Sequence, residues 1–293
     1  MAEFKRGMDK LIESLSTNDL FQNKLKPDID DGKVFFAIRY GKGSFYLRGC
    51  SLFTYDNSEF TTHYKFGFVP SAVGNTYITE TDLKSMAVID NFKDGYKQIK
   101  ERVALYAEPE ADGVSALYAF APRATNKEGR FFLVDIEVAF DAKNDVENSD
   151  GDKKAGRKTD RIDILLYDNC KRQLLFCEAK HFSNAEIRER DGESPEVINQ
   201  LKKYDRQITA KKSEIIAQYK KAFREYNELM GTELNDPEGV FDKCGLYIFG
   251  FNRKQQKELR NRMDANNEFY GRKCRIIGNT RNDSMEEIFK ALT

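Results

Sequence analysis

Hydrophobic and polar positions alternate with two different periods in the first third of the chain. In residues 1 to about 25, apolar residues recur at helical spacing, which predicts a short amphipathic helix. From Val34 to Val69, aromatic and β-branched residues are interrupted by glycines, a pattern typical of strands joined by tight turns. We therefore expect residues 1–84 to form a β-rich accessory domain. The apolar positions of the predicted helix are Phe4, Met8, Leu11, Ile12 and Leu15.

The pattern becomes mixed α/β after this region. An apolar stripe predicts a helix from about Ser85 to Tyr106, and the stretch "RFFLVDIEVAF" alternates as a strand does. This alternation places Asp135 and Glu137 on one face of the strand and the apolar residues on the other. Residues 141–160 are charged and offer too few apolar side chains to bury, which predicts a mobile loop or lid. The apolar face consists of Phe132, Val134, Ile136, Val138 and Phe140.

Two more strands and a helical region follow the charged loop. The stretch "RIDILLYDNCKRQLLFCEAKHF" indicates two strands joined by the turn "DNCKR". A long helical region is predicted to begin with Ser194 as its N-cap and to continue to Met230 in two pieces. A buried strand "CGLYIFGF", a basic helix, a short strand "CRIIG" and a closing helix complete the chain. Residues 85–293 are therefore expected to form a second domain of mixed α/β class.

Composition excludes several classes of protein. No run of residues approaches the roughly 18 apolar positions of a membrane span, and the first residues lack the apolar centre of a signal peptide. We therefore expect a cytoplasmic protein with no membrane partner. The five cysteines are scattered without a CxxC pair and accompany only two histidines, which argues against a zinc site and a disulfide framework. We expect reduced thiols that lie mostly in the core.

The two halves of the chain differ in charge although the whole is neutral. Residues 1–150 carry −5 and residues 151–293 carry +5. A basic half can attract a polyanion, but two ordinarily solvated surfaces explain the same numbers equally well. The charge difference therefore needs support from the candidate site.

The predicted hairpin brings two carboxylates side by side. If Tyr167 pairs with Leu174, the antiparallel register places Asp163 opposite Glu178. Lys180 lies two residues beyond Glu178 and therefore shares its face. Acid-x-Lys occurs six times in the chain, so the tripeptide alone means little. Only this copy ends an apolar strand and has a carboxylate at the paired position.

Such an arrangement fits the chemistry of a divalent cation. Facing carboxylates repel each other, and partial burial increases the cost. Mg²⁺ would remove the conflict, because it takes one or two carboxylates, keeps several waters and completes its shell with phosphate oxygens. A lysine beside it can position or deprotonate a water, or stabilise charge on phosphorus. These groups suit metal-assisted phosphodiester hydrolysis, whereas a surface group of acids balanced by Arg161 and Lys180 is the alternative.

The same residues resemble a known signature. Asp163 followed by Glu178-Ala179-Lys180 on consecutive strands, with a helix next, is similar to the motif of the PD-(D/E)XK nuclease superfamily. On the following helix, Gln200 and Tyr204 resemble the QxxxY motif of the branch that includes RecB-like and lambda-exonuclease-like nucleases. Ile162 stands where the superfamily name has a proline. The resemblance implies a restriction-endonuclease-like αβββαβ core within residues 85–293.

The resemblance also implies roles for individual residues. Asp163 and Glu178 would bind Mg²⁺ or Mn²⁺ with help from the Ala179 carbonyl, and Lys180 would serve the water or the transition state. Glu137 would be the additional acid and metal ligand, although many members carry that acid on the first helix. The expected activity is hydrolysis of DNA rather than RNA that leaves a 5′-phosphate, in bacterial defence or DNA processing.

Several side chains around these acids are candidates for contacts with the substrate. Tyr204 fits a core position equally well, His181 fits an ordinary strand end, and lysines on a helix are solvated by default. The aromatic and basic hairpins around Arg39 and Phe45 indicate either base stacking or a β-rich core that serves oligomerisation or partner binding. The candidates for substrate contact are Arg161, His181, Gln200, Lys202, Lys203 and Tyr204.

The sequence thus favours a metal-dependent nuclease. The rival from another class is a non-catalytic nucleic-acid-binding or assembly module that keeps the same fold. Intact Asp163, Glu178 and Lys180 favour the enzyme, since a module without catalysis has little reason to keep them. A possible homo-oligomer is compatible with both.

Overall fold

The computed structural model describes residues 3–67, 76–83, 89–140, 161–189, 194–265 and 273–293. Over these residues the chain is of mixed α/β class and contains two β-sheets. The predicted loop 141–160 and the predicted helix start at Ser85 lie outside the described residues. In the described part of the chain, every helix is too short or too polar to traverse a lipid bilayer.

The first sheet is an antiparallel meander built from the aromatic and β-branched region. Its five strands follow one another in space in the order of the chain. The prediction of strands joined by tight turns is therefore confirmed for this region. The strands are β1 (Phe35–Arg39), β2 (Lys42–Leu47), β3 (Cys50–Asp56), β4 (Glu59–His63) and β5 (Tyr77–Ile78).

The predicted N-terminal helix is only partly present. Helix α1 covers Leu11–Ser16, a π-helical turn covers Phe21–Leu25, and α2 covers Lys26–Asp30. Phe4 and Met8 lie before α1 in a non-helical segment. Their backbone N–H groups donate to carboxylates of a distant helix: Phe4 to Glu214 Oε1 at 2.5 Å and Met8 to Glu225 Oε2 at 2.7 Å. These long-range bonds replace the local helical ones, which spacing alone cannot reveal.

The second sheet combines an antiparallel and a parallel half. Its strands lie in the order β11–β10–β8–β7–β6, and the short strand β9 pairs with β8. β6, β7 and β8 are antiparallel neighbours, whereas β10 runs parallel to both β8 and β11. The strands are β6 (Phe131–Ala139), β7 (Arg161–Asp168), β8 (Gln173–His181), β9 (Gly239–Val240), β10 (Gly245–Phe249) and β11 (Cys274–Ile277).

Helices cover both faces of the second sheet. The predicted helical region occurs in two pieces, but Pro195 rather than Ser194 is the N-cap of the first piece. Of the helix predicted from Ser85 to Tyr106, the described residues 89–95 are not helical and the helix begins at Tyr96, because the Asn91 side chain binds the Asp94 N–H at 2.8 Å in a local turn. The remaining helices are α3 (Glu80–Leu83), α4 (Tyr96–Ala104), α5 (Pro109–Ser115), α6 (Glu196–Ala210), α7 (Lys212–Met230), α8 (Arg253–Ala265) and α9 (Met285–Leu292).

Two hydrophobic clusters pack against the second sheet from opposite sides. In β8, Leu174 and Phe176 belong to the larger cluster, whereas Leu175, Cys177 and Ala179 belong to the smaller one. Residues of the first sheet also belong to the larger cluster. The ring of Phe36 in β1 stacks on that of Tyr226 in α7, with 5.7 Å between their centroids. The boundary predicted after residue 84 stays a prediction, and hydrophobic contacts run across it.

The five cysteines are free thiols, as expected, but fewer lie in the core. Cys177 and Cys244 are buried, Cys50 and Cys274 are half-buried, and Cys170 is exposed in the turn between β7 and β8.

Candidate active site

The hairpin register predicted from the sequence is confirmed. Tyr167 pairs with Leu174 and Leu165 with Phe176. The paired positions end at Ile164 with Cys177, one residue before Asp163 and Glu178. Besides burial, the charge of Glu178 raises the pKa of Asp163, so the two carboxylates lie close together. The Ala179 N–H donates to Asp163 Oδ2 at 2.8 Å, which ties the two strands together at this level.

A third carboxylate extends this pair across the neighbouring strand. The register between β6 and β7 sets Glu137 at the level of Asp163, and besides burial the charges of both Glu178 and Glu137 raise the pKa of Asp163. The three acids therefore lie close together on three adjacent strands, and we call them the row of acids: Glu137, Asp163 and Glu178. The strand pairs on either side of this level are Ile136 with Ile164 and Val138 with Ile162.

Strand β6 does not keep the simple alternation that the sequence predicts. Its register shifts between Leu133 and Asp135, and Ile136 packs in the smaller cluster while the other apolar residues of its predicted face pack in the larger one. Glu137 has φ of +51°, a left-handed conformation that costs a non-glycine residue about 1–3 kcal/mol. The prediction that Asp135 and Glu137 share one polar face is therefore wrong.

Asp135 is instead the centre of a buried ionic cluster. Its carboxylate accepts hydrogen bonds from Arg6 Nε at 3.2 Å, from the Tyr219 hydroxyl at 2.7 Å and from Arg39 Nη1. It also accepts the Ile136 N–H at 2.8 Å. With four donors on two oxygens, Asp135 has no role beside Glu137 in the row of acids.

Glu178 is the most deeply buried acid of the row. The residue is 1% exposed, and its Oε1 accepts a hydrogen bond from Lys180 Nζ at 2.7 Å. Its Oε2 has no hydrogen-bond partner among the described residues. Burial raises the pKa of Glu178 to about 7, although Lys180 opposes the shift. An unpartnered buried carboxylate oxygen is costly and calls for a ligand.

Lys180 is a fixed cation between carboxylates. It is 4% exposed, and its Nζ lies 2.7 Å from Glu178 Oε1 and 2.8 Å from Glu186 Oε2. Burial lowers the pKa of Lys180, but Glu178 and Asp163 outweigh this and raise it above its usual value. Lys180 therefore stays protonated at neutral pH, which favours a role in charge stabilisation over one as a base.

The other two acids of the row are also hard to ionise. Burial raises the pKa of Asp163 well above its usual value, and the charges of Glu178 and Glu137 raise it further. Burial likewise raises the pKa of Glu137, against the opposing charges of Arg161 and Arg39, although its side chain is less enclosed, at 38% exposed. Arg161 Nη1 lies 4.0 Å from Glu137 Oε2. When all three acids are ionised, the row therefore carries more negative charge than Lys180 and Arg161 neutralise.

Two acids that the sequence analysis did not single out lie beside the row of acids. Glu110 of α5 accepts the His181 N–H at 2.9 Å and lies close enough to add to the burial-driven rise in the pKa of Glu178. Glu186 binds Lys180. A signal for α5 existed, since Pro109 followed by acidic residues is typical of a helix start, but its approach to β8 is long-range and invisible in the sequence.

The residues fit an open ion site rather than a closed one. Among the described residues, no three histidine, cysteine or acidic side chains converge to enclose a metal ion. Mg²⁺ needs only one or two carboxylates when waters and phosphate oxygens supply the rest. The unpartnered Oε2 of Glu178, beside Asp163, matches that requirement.

Gln200 and Tyr204 are hydrogen-bonded neighbours on α6 that differ in burial. Tyr204 is fully buried, and its hydroxyl donates to the Arg161 carbonyl at 2.8 Å while accepting from Gln200 Nε2 at 2.9 Å. Gln200 is half-buried, and its Oε1 has no partner in the described chain. Of the two interpretations of Tyr204, the structure therefore favours the core tyrosine, which supports the strand end that carries Arg161.

The remaining candidates for substrate contact are dispersed. His181 Nδ1 lies 2.7 Å from Ser183 Oγ, and its ring packs edge-on against Phe249 with 5.7 Å between centroids. Lys202 and Lys203 are exposed on α6. The structure thus places His181 beside the acids, with its ring bound locally, and the two lysines on the helix surface.

The aromatic hairpins of the first sheet are not available for base stacking. Phe45 is fully buried, Tyr46 is 9% exposed and Arg39 is 2% exposed. Arg39 is committed to Asp135 and to the Ile136 carbonyl. The interpretation of these three residues as a single-strand binding surface is wrong, because they form the core between the two sheets.

Comparisons with known proteins return no relative for this chain: no family model, no curated protein and no solved structure matches it.

Proposed function

We propose that this protein is a metal-dependent nuclease with a restriction-endonuclease-like core. One observation carries the proposal: Glu137, Asp163 and Glu178 lie in a row across three strands, beside Lys180, with the buried Glu178 Oε2 unpartnered among the described residues. A purely structural cluster gains nothing from such a group, since it costs desolvation and mutual repulsion.

The charge of the site favours a cation as its first ligand. The acids Glu110, Glu137, Asp163, Glu178 and Glu186 surround the cations Lys180 and Arg161, and Arg39 nearby is bound to Asp135. A nucleic acid would be repelled from this excess of carboxylates. Divalent ions reverse the local charge and supply coordination positions for phosphate oxygens.

The protein residues have separable roles in this proposal. Asp163 and Glu178 would hold the ion, with Glu137 beside them, and the ion would supply Lewis-acid stabilisation of the phosphate and a more acidic water. Lys180 would remain an ammonium group that fixes Glu178 and offsets charge on the phosphate oxygens. Arg161, anchored through its carbonyl by Tyr204, would face the phosphate backbone.

DNA is the favoured substrate, with bacterial defence or DNA processing as the setting. This part of the proposal rests on the resemblance of the Asp163, Glu178 and Lys180 pattern alone. Exposed basic residues on α6 and α8 could track a nucleic-acid backbone without reading its sequence. They are Lys202, Lys203, Arg206, Arg253, Lys254, Lys257 and Arg260.

A digestion assay tests the proposal. Supercoiled plasmid, linear duplex, single-stranded DNA and RNA are incubated with the protein and Mg²⁺, Mn²⁺ or EDTA. We expect cleavage that EDTA abolishes and that Glu178→Gln lowers about 1000-fold, because metal assistance supplies several kcal/mol and each 1.4 kcal/mol is tenfold. Glu101→Gln, an exposed position on α4, is the matched control for the loss of one carboxylate and should cleave normally.

The rival function predicts a different result in the same assay. A non-catalytic binding module would retain DNA or RNA in a filter assay without cutting it under any ion condition. Cleavage that survives in Glu178→Gln would also overturn the proposal, since the activity would then come from another site or a contaminant.

A further inference from the structure

The conformation of Glu137 depends on a contact from the other sheet. Among the described residues β6 is the edge strand of the second sheet, so no further described strand pairs with its outward backbone groups. The Ile136 carbonyl instead accepts a hydrogen bond from Arg39 Nη2. Arg39 is the last residue of β1, in the first sheet.

The same guanidinium fixes the peptide on both sides of Ile136. Arg39 Nη1 donates to Asp135 Oδ1, and that oxygen also accepts the Ile136 N–H at 2.8 Å. Arg39 and Asp135 therefore hold both the N–H and the carbonyl of Ile136. Arg6 completes the cluster from the opposite oxygen, Asp135 Oδ2, at 3.2 Å.

The residue that follows this clamped peptide is Glu137. Its φ of +51° is uncommon for a residue with a side chain, so the surrounding contacts must over-determine it. A glycine would adopt this conformation without cost, but only an acidic residue places a carboxylate beside Asp163. The strained conformation and the clamp are thus parts of one arrangement.

We infer that Arg39 is a positioning residue that holds Glu137 in the row of acids, and that the first sheet is therefore part of the ion site. The inference rests on the proposed function, because it assigns Glu137 to that site. Arg39 is buried and acts through the Ile136 peptide and not on the substrate.

A second contact from the first sheet braces another acid. Gly49, in the turn between β2 and β3, packs against α5 so closely that a Cβ would lie 2.2 Å from the Ala111 Cβ. Beside it, Arg48 Nε donates to Asp112 Oδ1 at 2.6 Å. Because α5 carries Glu110, the first sheet supports two of the elements that bring acids to the site.

Two arginine variants separate positioning from stability. Arg39→Lys keeps the charge but loses the planar group that joins Asp135 to the Ile136 carbonyl. Arg6→Lys is the matched control, since Arg6 is equally buried and binds the same Asp135 through its other oxygen. Both variants should lower thermal stability. Only Arg39→Lys should weaken Mn²⁺ binding, by about 10- to 100-fold, which is typical of residues that orient metal ligands.

Mn²⁺ binding is measured by calorimetry on the full chain without nucleic acid, and cleavage is measured separately. In a Glu137→Gln background, Arg39→Lys should cause no further loss of Mn²⁺ affinity, because the group that it positions is already removed. Equal Mn²⁺ affinity in Arg39→Lys and Arg6→Lys would overturn the inference while leaving cleavage by the parent intact. The result could also be that Mn²⁺ affinity falls in Arg39→Lys but not in Arg6→Lys while the parent cuts no nucleic acid. That result would overturn the proposed function and support the inference.

A milder variant covers the case in which Arg39→Lys does not fold. Tyr46→Phe removes the hydroxyl that lies 3.5 Å from Arg39 Nη2 and leaves the bonds of the guanidinium to Asp135 and to the Ile136 carbonyl in place. We expect Mn²⁺ affinity to fall about two- to threefold, the effect of one weak hydrogen bond. An unchanged affinity in this folded variant, or no Mn²⁺ binding by the parent, would overturn the inference.

Discussion

Two buried clusters of charge flank the peptide between Ile136 and Glu137, and they differ in how completely their acids are bonded. Asp135 accepts four hydrogen bonds, from Arg6, Arg39, Tyr219 and the Ile136 N–H. Glu178 has one partner on Oε1 and none among the described residues on Oε2. The carboxylate of Asp135 is satisfied by the fold itself, and that of Glu178 is not.

The two clusters also differ in the sign of their excess charge. Asp135 lies between two arginines, whereas the row that includes Glu178 has more acids than cations around it. Hydrogen-bonded pairs that balance each other are what a structural cluster requires. An excess of unsatisfied acids stabilises nothing by itself, so the contrast supports a structural role for the first cluster and the proposed ion binding for the second.

The largest difference in stability is expected between substitutions of the central acid in each cluster, Asp135 and Glu178. Asp135→Asn should destabilise the fold by about 3–5 kcal/mol, because it leaves two buried arginines without their counter-charge. Glu178→Gln should cost less, because Lys180 keeps Glu186 as a partner at 2.8 Å and the substitution removes a buried charge that repels Asp163. Urea unfolding of both variants at pH 8 without divalent ions measures the difference. Equal destabilisation by both substitutions would show that Glu178 is also a structural residue.

A smaller effect is expected from pH. Because the pKa of Glu178 is about 7 in the folded state and 4.5 is the usual value, the folded state retains a proton that the unfolded chain releases. Stability from this group is therefore present below about pH 4.5 and is lost as pH rises to about 7. The loss is on the order of 3 kcal/mol, at about 1.4 kcal/mol for each pKa unit.

Unfolding at pH 5 and pH 8 tests this dependence. The parent should lose more stability than Glu178→Gln between the two pH values, and Mn²⁺ should restore stability to the parent at pH 8, where the ionised carboxylate can bind it. Glu101→Gln on α4 should follow the parent under all conditions. A pH dependence that is identical in Glu178→Gln would contradict the assignment of the raised pKa to this residue.

Local pattern was sufficient to predict much of the candidate site. The pairing of Tyr167 with Leu174 follows from strand alternation and the position of one turn, and it brings Asp163 and Glu178 together. The two helices after β8 also follow from their apolar spacing. These features depend on neighbours in sequence, so a single chain reveals them.

Long-range contacts decide the features that the sequence missed. Strand β6 is irregular and Glu137 has a positive φ, and the Ile136 carbonyl between them is bound by Arg39, a residue 97 positions away. Glu110 reaches His181 across 71 positions. Neither contact produces a periodic pattern in the sequence. In β6, the tertiary partners override the alternation expected of an edge strand. The fold class was therefore predictable, and the way in which the first sheet supports the acids was not.

The smallest expected effect on stability concerns two buried tyrosines, Tyr204 near the row of acids and Tyr219 in the Asp135 cluster. Tyr204→Phe should cost about 1 kcal/mol, because its hydroxyl bonds only neutral groups, the Arg161 carbonyl and Gln200. Tyr219→Phe should cost about 1.5–3 kcal/mol, because its hydroxyl donates to the charged Asp135. Unfolding free energies of both variants measure the contrast, and cleavage by Tyr204→Phe should fall only a few-fold. A hundredfold loss of cleavage with unchanged stability would instead place the Tyr204 hydroxyl on the substrate and remove the distinction between a core tyrosine and a site residue.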